Sequence, residues 1–394
     1  MAELGPPPGF DPRSVAPPAL GDGPWPIGAI APDVAGACNL ACRYCAEAAT
    51  QPRRKAMAPH TLDAAWGLLC SEGGPRPGAT IRLGSGEPLL ALPLLRRIAS
   101  LADRAKEPPD VFLTTNATLA SPRVRQWLAA SRWHVKVSLD GPQEIHDAWR
   151  VDASGRGTFA RAAEAAADLA PRIGDRLSAT AVLCRGSDPA SVFEGIAALG
   201  VRRIELVPAA HRDAAVRPDA ADVARYERFV NRYARRWLDA APQELPPALV
   251  RFETCVRRVM GYQNPRVPCG AGRTLVGVGP DGALYPCFRF VGLEDYRIGH
   301  VDGGLDASAA EAFRRSPGRP FQSRTPCAEC WAAALCGGPC FAVAEMFGPG
   351  GGAPVPLHCR YVLADAQAAV WLVGRLRQTD PQRLLAFLPG APEL

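Results

Sequence analysis

Residues 37–45 of the chain read Ala37-Cys38-Asn39-Leu40-Ala41-Cys42-Arg43-Tyr44-Cys45, which places three thiols within eight residues. Thiolates are soft ligands that suit iron–sulfur clusters and zinc. A structural zinc site normally closes with four protein ligands, but the next Cys or His residues are as far away as His60 and Cys70. Three thiolates on a four-iron cluster would leave one iron open to a substrate or cofactor. Zinc, or three buried thiols, is the alternative.

Around this stretch, short apolar runs alternate with amphipathic helical patterns from residue 27 to residue 240. The runs predict strands at Ile27–Ala31, Thr80–Leu83, Val111–Thr114, Val135–Leu139, Leu177–Leu183 and Arg203–Val207. The helical patterns lie at Leu62–Cys70, Leu92–Ala105, Pro122–Ala130, Phe159–Leu169, Ala190–Leu199 and Ala220–Leu238. Apolar strands that alternate with helices indicate a parallel sheet with helical crossovers. Six such units favour an α/β fold, an open partial (β/α)6 TIM-like barrel, over a closed eight-unit barrel.

Four further segments flank the predicted barrel at 27–240. They are a Pro/Gly-rich N-terminal tail at 1–26, a bridging segment at 241–265, a small Cys-rich domain with a C-terminal helix at 266–378, and a tail at 379–394. The C-terminal helix, about Val362–Gln378, is expected to pack back on the Cys-rich domain.

Composition and charge narrow the class of protein. The chain has 394 residues, of which 47% are hydrophobic and 21% charged, with a formal net charge of +6 that includes no long basic run. We therefore expect no nucleic-acid partner. No stretch of about 18 apolar residues and no export signal occurs, which predicts a cytoplasmic protein without a membrane span. An odd set of 13 cysteines then favours metal binding or redox chemistry over disulfides.

Polar motifs follow the second, third and fourth predicted strands. They are Gly84-Ser85-Gly86-Glu87, Thr114-Thr115-Asn116 and Ser138-Leu139-Asp140-Gly141. Because barrel enzymes gather their chemistry at the carboxyl ends of the strands, these motifs and the thiol loop are expected to meet in one pocket. Turn formation is the alternative role for these polar residues.

The spacing Cys38-x3-Cys42-x2-Cys45, with Tyr44 before the last thiol, resembles the signature of the radical S-adenosylmethionine (SAM) superfamily. The resemblance covers the chain after the N-terminal tail. It implies a 4Fe-4S cluster on the three thiols, whose open iron binds SAM and cleaves it to methionine and a 5′-deoxyadenosyl radical. The implied SAM contacts are Gly84, Ser85, Gly86 and Glu87 for the amino group, Ser138, Asp140 and Asn116 for the ribose, Tyr44 for the adenine and Arg185 for the carboxylate. A surface position is the alternative for Arg185.

Seven more thiols lie between residues 269 and 359. They are Cys269, Cys287, Cys327, Cys330, Cys336, Cys340 and Cys359. The segment Arg273–Pro286 predicts a hairpin that turns at Pro280-Asp281-Gly282 and brings its two flanking thiols together. One or two zinc sites are the alternative.

This second spacing resembles the SPASM extension of radical SAM enzymes. The resemblance implies two auxiliary 4Fe-4S clusters, and hence three in all: one on Cys269, Cys287 and Cys340, the other on Cys327, Cys330, Cys336 and Cys359. The first set has only three thiols, so one iron is open or an outside residue ligates it, for which Cys255 is the candidate.

SPASM-type members mostly modify peptides and proteins. Sulfatase-maturing members carry an Asp directly after the equivalent of Cys287, where this chain has Phe288, and the segment Ile145–Arg150 recurs in the peptide maturases and is expected to line the pocket. The resemblance therefore favours a maturase that forms a thioether or C–C crosslink in a ribosomally synthesised peptide. The alternatives are a maturase that oxidises or crosslinks a protein subunit, of the quinone-cofactor or sulfatase type, and an iron–sulfur electron carrier or metal scaffold.

The expected partners follow from the same resemblance. They are a peptide or small protein substrate and a one-electron donor such as flavodoxin or ferredoxin. Leader recognition, if it occurs, is expected to use the barrel, the Cys-rich region or a separate leader-binding protein.

Overall fold

The computed structural model describes residues 6–7, 9–11, 26–50, 55–71, 74–262, 265, 267–316 and 318–387, without the side chains of residues 49, 50 and 242. Most of the expected N-terminal tail lies outside the described residues. The expected C-terminal tail lies outside them from residue 388, but Pro381–Phe387 forms a 3-10 segment, and the Phe387 ring stacks on Trp237 with the ring centroids 4.4 Å apart. The chain up to Phe387 is therefore packed on the fold.

The strands of the structure include the six predicted for the barrel, which lie close to their expected positions. The strands are β1 (Ala29–Pro32), β2 (Cys70–Ser71), β3 (Gly74–Pro75), β4 (Thr80–Leu83), β5 (Asp110–Thr115), β6 (His134–Ser138), β7 (Leu177–Leu183), β8 (Arg203–Pro208), β9 (Ala248–Leu249), β10 (Leu275–Val278), β11 (Ala283–Tyr285), β12 (Gly299–His300) and β13 (Gly304–Leu305).

The helices include several that the sequence patterns did not predict, among them α5, α9 and α10. They are α1 (Ala46–Thr50), α2 (Pro59–Gly67), α3 (Leu92–Arg104), α4 (Pro122–Ala130), α5 (Gln143–Trp149), α6 (Phe159–Ile173), α7 (Pro189–Ala197), α8 (Ala220–Asp239), α9 (Val250–Val259), α10 (Ala307–Arg315), α11 (Ala333–Cys336), α12 (Phe341–Phe347) and α13 (Pro356–Thr379). No helix in the described part of the chain is long and apolar enough to cross a bilayer.

The sheet confirms the α/β partial barrel and extends it. Its order is β13-β12-β11-β10-β1-β4-β5-β6-β7-β8-β9. The strands from β10 to β9 in this order are parallel, while β10 to β13 pair antiparallel. The predicted hairpin is β10–β11, and its first strand pairs with β1, so the Cys-rich region continues the barrel sheet. The segment 241–265, expected to be a bridge, adds the parallel strand β9 and the helix α9.

The strands pack one face against helices and turn the other towards a cavity. Ile81, Leu113 and Val135 are fully buried under the helices. The alternate residues, such as Lys136 and Thr180, line the cavity instead. This alternation follows from the two-residue period of a strand, and it places polar side chains inside the barrel.

The C-terminal helix packs differently from the prediction. Helix α13 lies against the barrel helix α8, where the Tyr226 hydroxyl donates to Asp365 at 2.7 Å and the rings of Tyr226 and Tyr361 lie 4.6 Å apart. Arg360 also donates to Glu227 of α8 at 2.9 Å. The helix thus joins the Cys-rich region to the barrel, because its partners lie on α8 rather than among the thiols alone.

Candidate functional site

The three-thiol loop follows β1 and is held by the segment after α5. The backbone N–H of Ala41 donates to Val151 O at 2.8 Å, and that of Arg43 donates to Trp149 O at 2.9 Å. The sulfur atoms also accept backbone hydrogen bonds, Cys38 from Leu40 and Cys45 from Ala48, both at 3.4 Å. Such donors suit thiolates that bind the iron of an iron–sulfur cluster, because hydrogen bonds to the thiolate sulfur stabilise its negative charge.

Ten of the cysteines form three groups in space. Burial is the main cause that raises the pKa of Cys42 to about 12, of Cys269 to about 11 and of Cys359 to about 12, and other thiols of the same group raise each of these three further. The groups are Cys38, Cys42 and Cys45; Cys269, Cys287 and Cys340; and Cys327, Cys330, Cys336 and Cys359. These are the sets that the sequence resemblance implied as ligands.

The three groups contain only thiols, which are the ligands of iron–sulfur clusters and also suit zinc. Among the described residues, no three His, Cys, Asp or Glu side chains lie close enough together to hold one metal ion.

Cys255 does not join the group for which it was the candidate fourth ligand. It lies buried on α9, and the charged or ionisable groups near it are Asp365, Arg258, Arg251 and Cys336. Of these, only Cys336 is a thiol, and it belongs to the four-thiol group. Cys255 lies there because α9 packs beside the four-thiol loop, where the Arg258 guanidinium donates to Leu335 O at 2.7 Å.

The glycine-rich turn after β4 is built against the thiol loop. Gly86 has a positive φ of 58°, and a Cβ at this position would lie 2.3 Å from Ala37 O. The next residue, Glu87, donates its backbone N–H to the same oxygen at 2.9 Å. Only glycine fits this backbone conformation and this close approach, so the turn is locked to the residue that precedes Cys38.

The side chain of Glu87 serves the protein itself. It is fully buried and accepts hydrogen bonds from Thr115 Oγ1 and Asn116 N, both at 2.7 Å, and from Leu89 N at 3.0 Å. The carboxylate is thus committed to the end of β5, and the backbone of Gly84–Gly86 is the part of the motif that borders the cavity. The expected contact between the Glu87 side chain and the SAM amino group is not available in this arrangement.

A carboxylate that the sequence analysis missed lies on this turn. Glu47 Oε2 accepts from Gly86 N at 2.9 Å and lies 3.5 Å from Ser85 Oγ. Asn116 approaches from the other side, with its Nδ2 atom 3.8 Å from Cys38 Sγ and 2.9 Å from Asn39 Oδ1. The only sequence signal for Glu47 was its position two residues after Cys45.

Asp140 is a buried anchor for Tyr44. Its carboxylate accepts from the Tyr44 hydroxyl at 2.6 Å, from Arg150 Nε at 2.8 Å and from Val182 N at 2.9 Å. Both oxygens are therefore used within the protein, and the expected ribose contact of Asp140 does not fit. Ser138, the last residue of β6, is half-buried beside Thr180 of β7.

The segment Ile145–Arg150, expected to line the pocket, backs the thiol loop instead. His146 is buried, and its Nδ1 accepts from Asp140 N at 3.3 Å. Asp147 accepts from the N–H groups of Thr158 and Phe159 at 2.7 and 2.8 Å, and thereby caps α6. The Trp149 ring lies 6.4 Å from that of Tyr44.

Arg185 lies at the surface. Its side chain is 50% exposed, pairs with Asp219 at 3.1 Å and donates to Ala214 O at 3.1 Å. The loop after β7 turns outward to meet the residues before α8, which takes this guanidinium away from the cavity. The expected pairing with a SAM carboxylate is therefore corrected to the surface alternative.

A cavity of about 1220 Å³ connects the thiol groups. Cys45 of the three-thiol loop borders it, and so does Cys340 of the group formed with Cys269 and Cys287. The four-thiol group borders it with all its members, Cys327, Cys330, Cys336 and Cys359. Gly84, Gly86 and Glu47 line the same space. Of the predicted pocket residues, Tyr44, Cys45, Gly84 and Gly86 therefore line one chamber together with residues of the Cys-rich region.

The chamber wall carries charged residues that sequence patterns did not single out. Lys136 of β6 pairs with Glu205 of β8 at 2.8 Å. Burial raises the pKa of Glu205, but Lys136, Arg251 and Arg289 together hold it below its ordinary value. Glu205 is therefore ionised at neutral pH. Because the two residues lie on different strands, no pattern along the sequence indicates the pair.

The chain is similar to known proteins over most of its length. Residues 34–205 match the family model described as the radical SAM superfamily. The chain is 26% identical over 340 residues to a serine-type anaerobic sulfatase-maturating enzyme of Klebsiella aerogenes, covering 80% of each chain. It is 27% identical to the mycofactocin maturase MftC of Mycolicibacterium smegmatis, covering 78% of this chain and 76% of the relative.

Solved structures show the same fold. The anaerobic sulfatase-maturating enzyme anSMEcpe with bound AdoMet superposes with a TM-score of 0.72 at 18% identity, covering 91% of this chain and 97% of that one. SuiB of Streptococcus suis, bound to its precursor peptide SuiA, superposes with a TM-score of 0.55 at 17% identity, covering 81% and 72%.

Proposed function

We propose that the chain, whose residues 34–205 match the family model of the radical SAM superfamily, is a maturase that oxidises a residue of a peptide or small protein. The observation that carries this proposal is the chamber itself. All three thiol groups and the glycine-rich turn border one cavity of about 1220 Å³, which exceeds the usual range of about 300–1000 Å³ for a single small-molecule site. The clusters, SAM and a substrate residue would share this space.

The donor sets fit three 4Fe-4S clusters. Cys38, Cys42 and Cys45 would hold the one that binds SAM, with an open position towards Glu47 and Gly86. The other two sets would hold auxiliary clusters, one with three thiols and one with four. A reduced 4Fe-4S cluster with an open iron supplies the electron that cleaves SAM to methionine and a 5′-deoxyadenosyl radical, the oxidant of the substrate C–H bond.

A peptide or protein substrate is supported by the relatives. The matched enzymes are named for the maturation of sulfatases and of mycofactocin, and SuiB was solved with a precursor peptide. In the proposed oxidation, one hydrogen atom goes from the substrate to the 5′-deoxyadenosyl radical, which becomes 5′-deoxyadenosine, and a proton and an electron then leave the substrate. Glu205 is the ionised carboxylate on the chamber wall that takes the proton, and an auxiliary cluster held by the thiols that border the same chamber would accept the electron.

A thioether or C–C crosslink in a ribosomally synthesised peptide is the second candidate. The observation in its favour is Phe288, which lines the chamber where sulfatase-maturing members carry an Asp. The two outcomes share the first hydrogen abstraction and differ only in whether a second substrate group adds to the oxidised residue.

We also propose a one-electron donor such as flavodoxin or ferredoxin, and action in the cytoplasm. A set of 13 cysteines without described disulfides supports a reducing compartment, where thiols stay available to iron.

The test is anaerobic reconstitution of the wild type beside the Cys38/Cys42/Cys45→Ala triple variant. We expect about twelve irons per chain in the wild type and about eight in the variant. SAM cleavage under dithionite should be lost with the three thiols. Zinc in place of iron, or undiminished cleavage in the variant, would contradict the proposal.

The reaction class is tested with serine- and cysteine-containing peptides and mass spectrometry. Oxidation predicts loss of two hydrogen atoms from a serine, which becomes an aldehyde that reacts with a carbonyl reagent. A cysteine that loses two hydrogen atoms becomes a thioaldehyde, and water then replaces its sulfur by oxygen with release of hydrogen sulfide. A crosslink predicts the same mass change without carbonyl reactivity and with a fragment that resists sequencing. Glu205→Gln should keep SAM cleavage and lose peptide oxidation, whereas Glu329→Gln, on the same chamber, is the matched control.

A further inference from the structure

Arg150 makes the only buried ion pair found beside the three-thiol loop among the described residues. Its guanidinium donates to both oxygens of Asp140, at 2.8 Å from Nε and 3.2 Å from the second nitrogen. The side chains of Arg150 and Asp140 are 8% and 1% exposed. A charged pair this far from water is costly to bury and acts on its neighbours through a low dielectric.

The ion pair is joined to the loop through Tyr44. The Tyr44 hydroxyl donates to Asp140 at 2.6 Å, and the Arg150 guanidinium lies over the Tyr44 ring at 5.3 Å from its centroid. Tyr44 stands between Cys42 and Cys45 in sequence, so its ring and hydroxyl fix the last turn of the loop. The hydrogen bonds of Ala41 and Arg43 to the backbone of residues 149–151 hold the first turn.

The pair presents its positive end to the thiols. The backbone hydrogen bonds of Ala41 to Val151 O at 2.8 Å and of Arg43 to Trp149 O at 2.9 Å place Arg150 opposite Cys42, the residue between the two donors. This polarity follows from the order of the groups, because the carboxylate is turned towards Tyr44 and the β7 backbone at Val182. A cation in this place favours whichever state of the thiol site carries more negative charge.

We propose that Arg150 is a positioning residue that orders the three-thiol loop through Asp140 and Tyr44, and that its charge raises the reduction potential of the iron–sulfur cluster held by Cys38, Cys42 and Cys45. The inference rests on the proposed function, which supplies that cluster. Reduction adds one negative charge near Cys42, and a buried guanidinium stabilises that charge. Asp140 acts in the opposite direction, because its carboxylate opposes the added electron.

The opposite signs provide the test. We would compare wild type, Arg150→Met, Arg150→Lys and Asp140→Asn by redox titration of the electron paramagnetic resonance signal that changes when SAM is added. Arg150→Met should lower the midpoint potential by at least about 59 mV. For a one-electron couple, this shift corresponds to a tenfold change in the equilibrium constant for reduction. Asp140→Asn should raise it, and Arg150→Lys, which keeps the charge, should stay nearest to the wild type.

Arg125→Met is the matched control. Arg125 is also an ion-paired arginine with a side chain only 10% exposed, but it pairs with Glu164 and Asp168 on the outer helices. Its removal should cost stability without moving the potential. A general effect of losing a buried arginine would move both variants alike.

Shifts of the same sign in Arg150→Met and Asp140→Asn, or no shift in either with iron retained, would overturn the inference. If Arg150→Met loses iron from the three-thiol loop, the potentials of Asp140→Asn and Arg150→Lys are compared with that of the wild type instead. A potential in Asp140→Asn at or below the wild-type value then overturns the inference. A wild-type protein that takes up no iron overturns the proposed function instead.

Discussion

The carboxylate of Glu47 accepts a hydrogen bond from the backbone N–H of Gly86 at 2.9 Å, which joins the helix after the thiol loop to the glycine-rich turn. Both residues line the chamber. A backbone donor at this turn is the kind of group that would hold the amino-acid part of SAM. The Glu47 carboxylate occupies this donor.

Replacement of Glu47 by Ala should therefore tighten SAM binding. A ligand that uses the Gly86 N–H must displace the Glu47 carboxylate. Removal of this competitor should make the free energy of SAM binding more favourable by about 1 kcal/mol, which lowers the Kd about five-fold. Anaerobic equilibrium dialysis with SAM measures the change. Glu329→Ala, another chamber carboxylate, should leave the Kd unaltered. Weaker binding in Glu47→Ala would mean that Glu47 is itself a SAM contact.

The two glycines of the turn should differ sharply in their tolerance of a side chain. Gly86→Ala combines a positive φ with a Cβ placed 2.3 Å from Ala37 O, whereas the Cβ of Gly84→Ala meets only Thr114 at 3.4 Å. We expect Gly86→Ala to lower the free energy of unfolding by about 3 kcal/mol or more and Gly84→Ala to change it by less than about 1 kcal/mol. Denaturant unfolding of both variants checks this. Equal losses would contradict the close approach.

Acid should destabilise the protein through His146. Burial is the main cause that lowers the pKa of His146 to about 4, and its Nδ1 atom accepts from Asp140 N while Nε2 lies 3.1 Å from Thr158 Oγ1. Protonation would put an N–H against the Asp140 N–H. Because the unfolded chain binds the proton near pH 6.5 and the folded one only near pH 4, stability should fall by about 3 kcal/mol as the pH drops through this window.

Unfolding curves of the wild type and of His146→Gln between pH 7 and pH 4 would measure that loss. The variant should be less stable at pH 7 but should lose less on acidification. His60→Gln, at an exposed position of α2, should follow the wild type. If His146→Gln loses as much unfolding free energy as the wild type between pH 7 and pH 4, other groups cause the acid destabilisation.

Cys255→Ala should keep the wild-type iron content. The Cys255 thiol lies on α9 beside Cys336 and away from the triad of Cys269, Cys287 and Cys340, so its removal should only leave a small cavity that costs about 1 kcal/mol. Cys340→Ala, in contrast, should lose iron from the triad. Iron analysis and Mössbauer spectra of the two variants would tell the outcomes apart. Iron loss in Cys255→Ala would make it a ligand after all.

Arg185→Ala should bind SAM within about two-fold of the wild type. Its half-exposed pair with Asp219 contributes no more than about 1 kcal/mol to stability, and the side chain points away from the chamber. The same dialysis assay measures the Kd. A large loss of SAM affinity would require the loop after β7 to fold inward when SAM binds.

Most strand and helix positions of the barrel could be predicted from local patterns, whereas the grouping of the later thiols came from the resemblance to the SPASM extension. Apolar periodicity fixed β4 and β7 to the residue, because each strand had helices over one face. Helices α5 and α9 were missed, since charged residues interrupt their apolar pattern. The direction of a side chain was the least accessible feature: Glu87, Asp140 and Arg185 were each expected at the SAM site, but Glu87 and Asp140 are bound up within the protein and Arg185 lies at the surface.

The sequence by itself determined the chemistry of this protein, because thiol spacing and glycine positions are local properties of the chain and resemble one superfamily. Only the tertiary structure decided which polar groups remain free to act. Glu47 meets Gly86, Lys136 meets Glu205 and Arg150 meets Asp140 through contacts between different elements. Such pairings depend on strand register and loop direction, and a buried carboxylate that has satisfied its hydrogen bonds inside the fold is no longer available to a ligand.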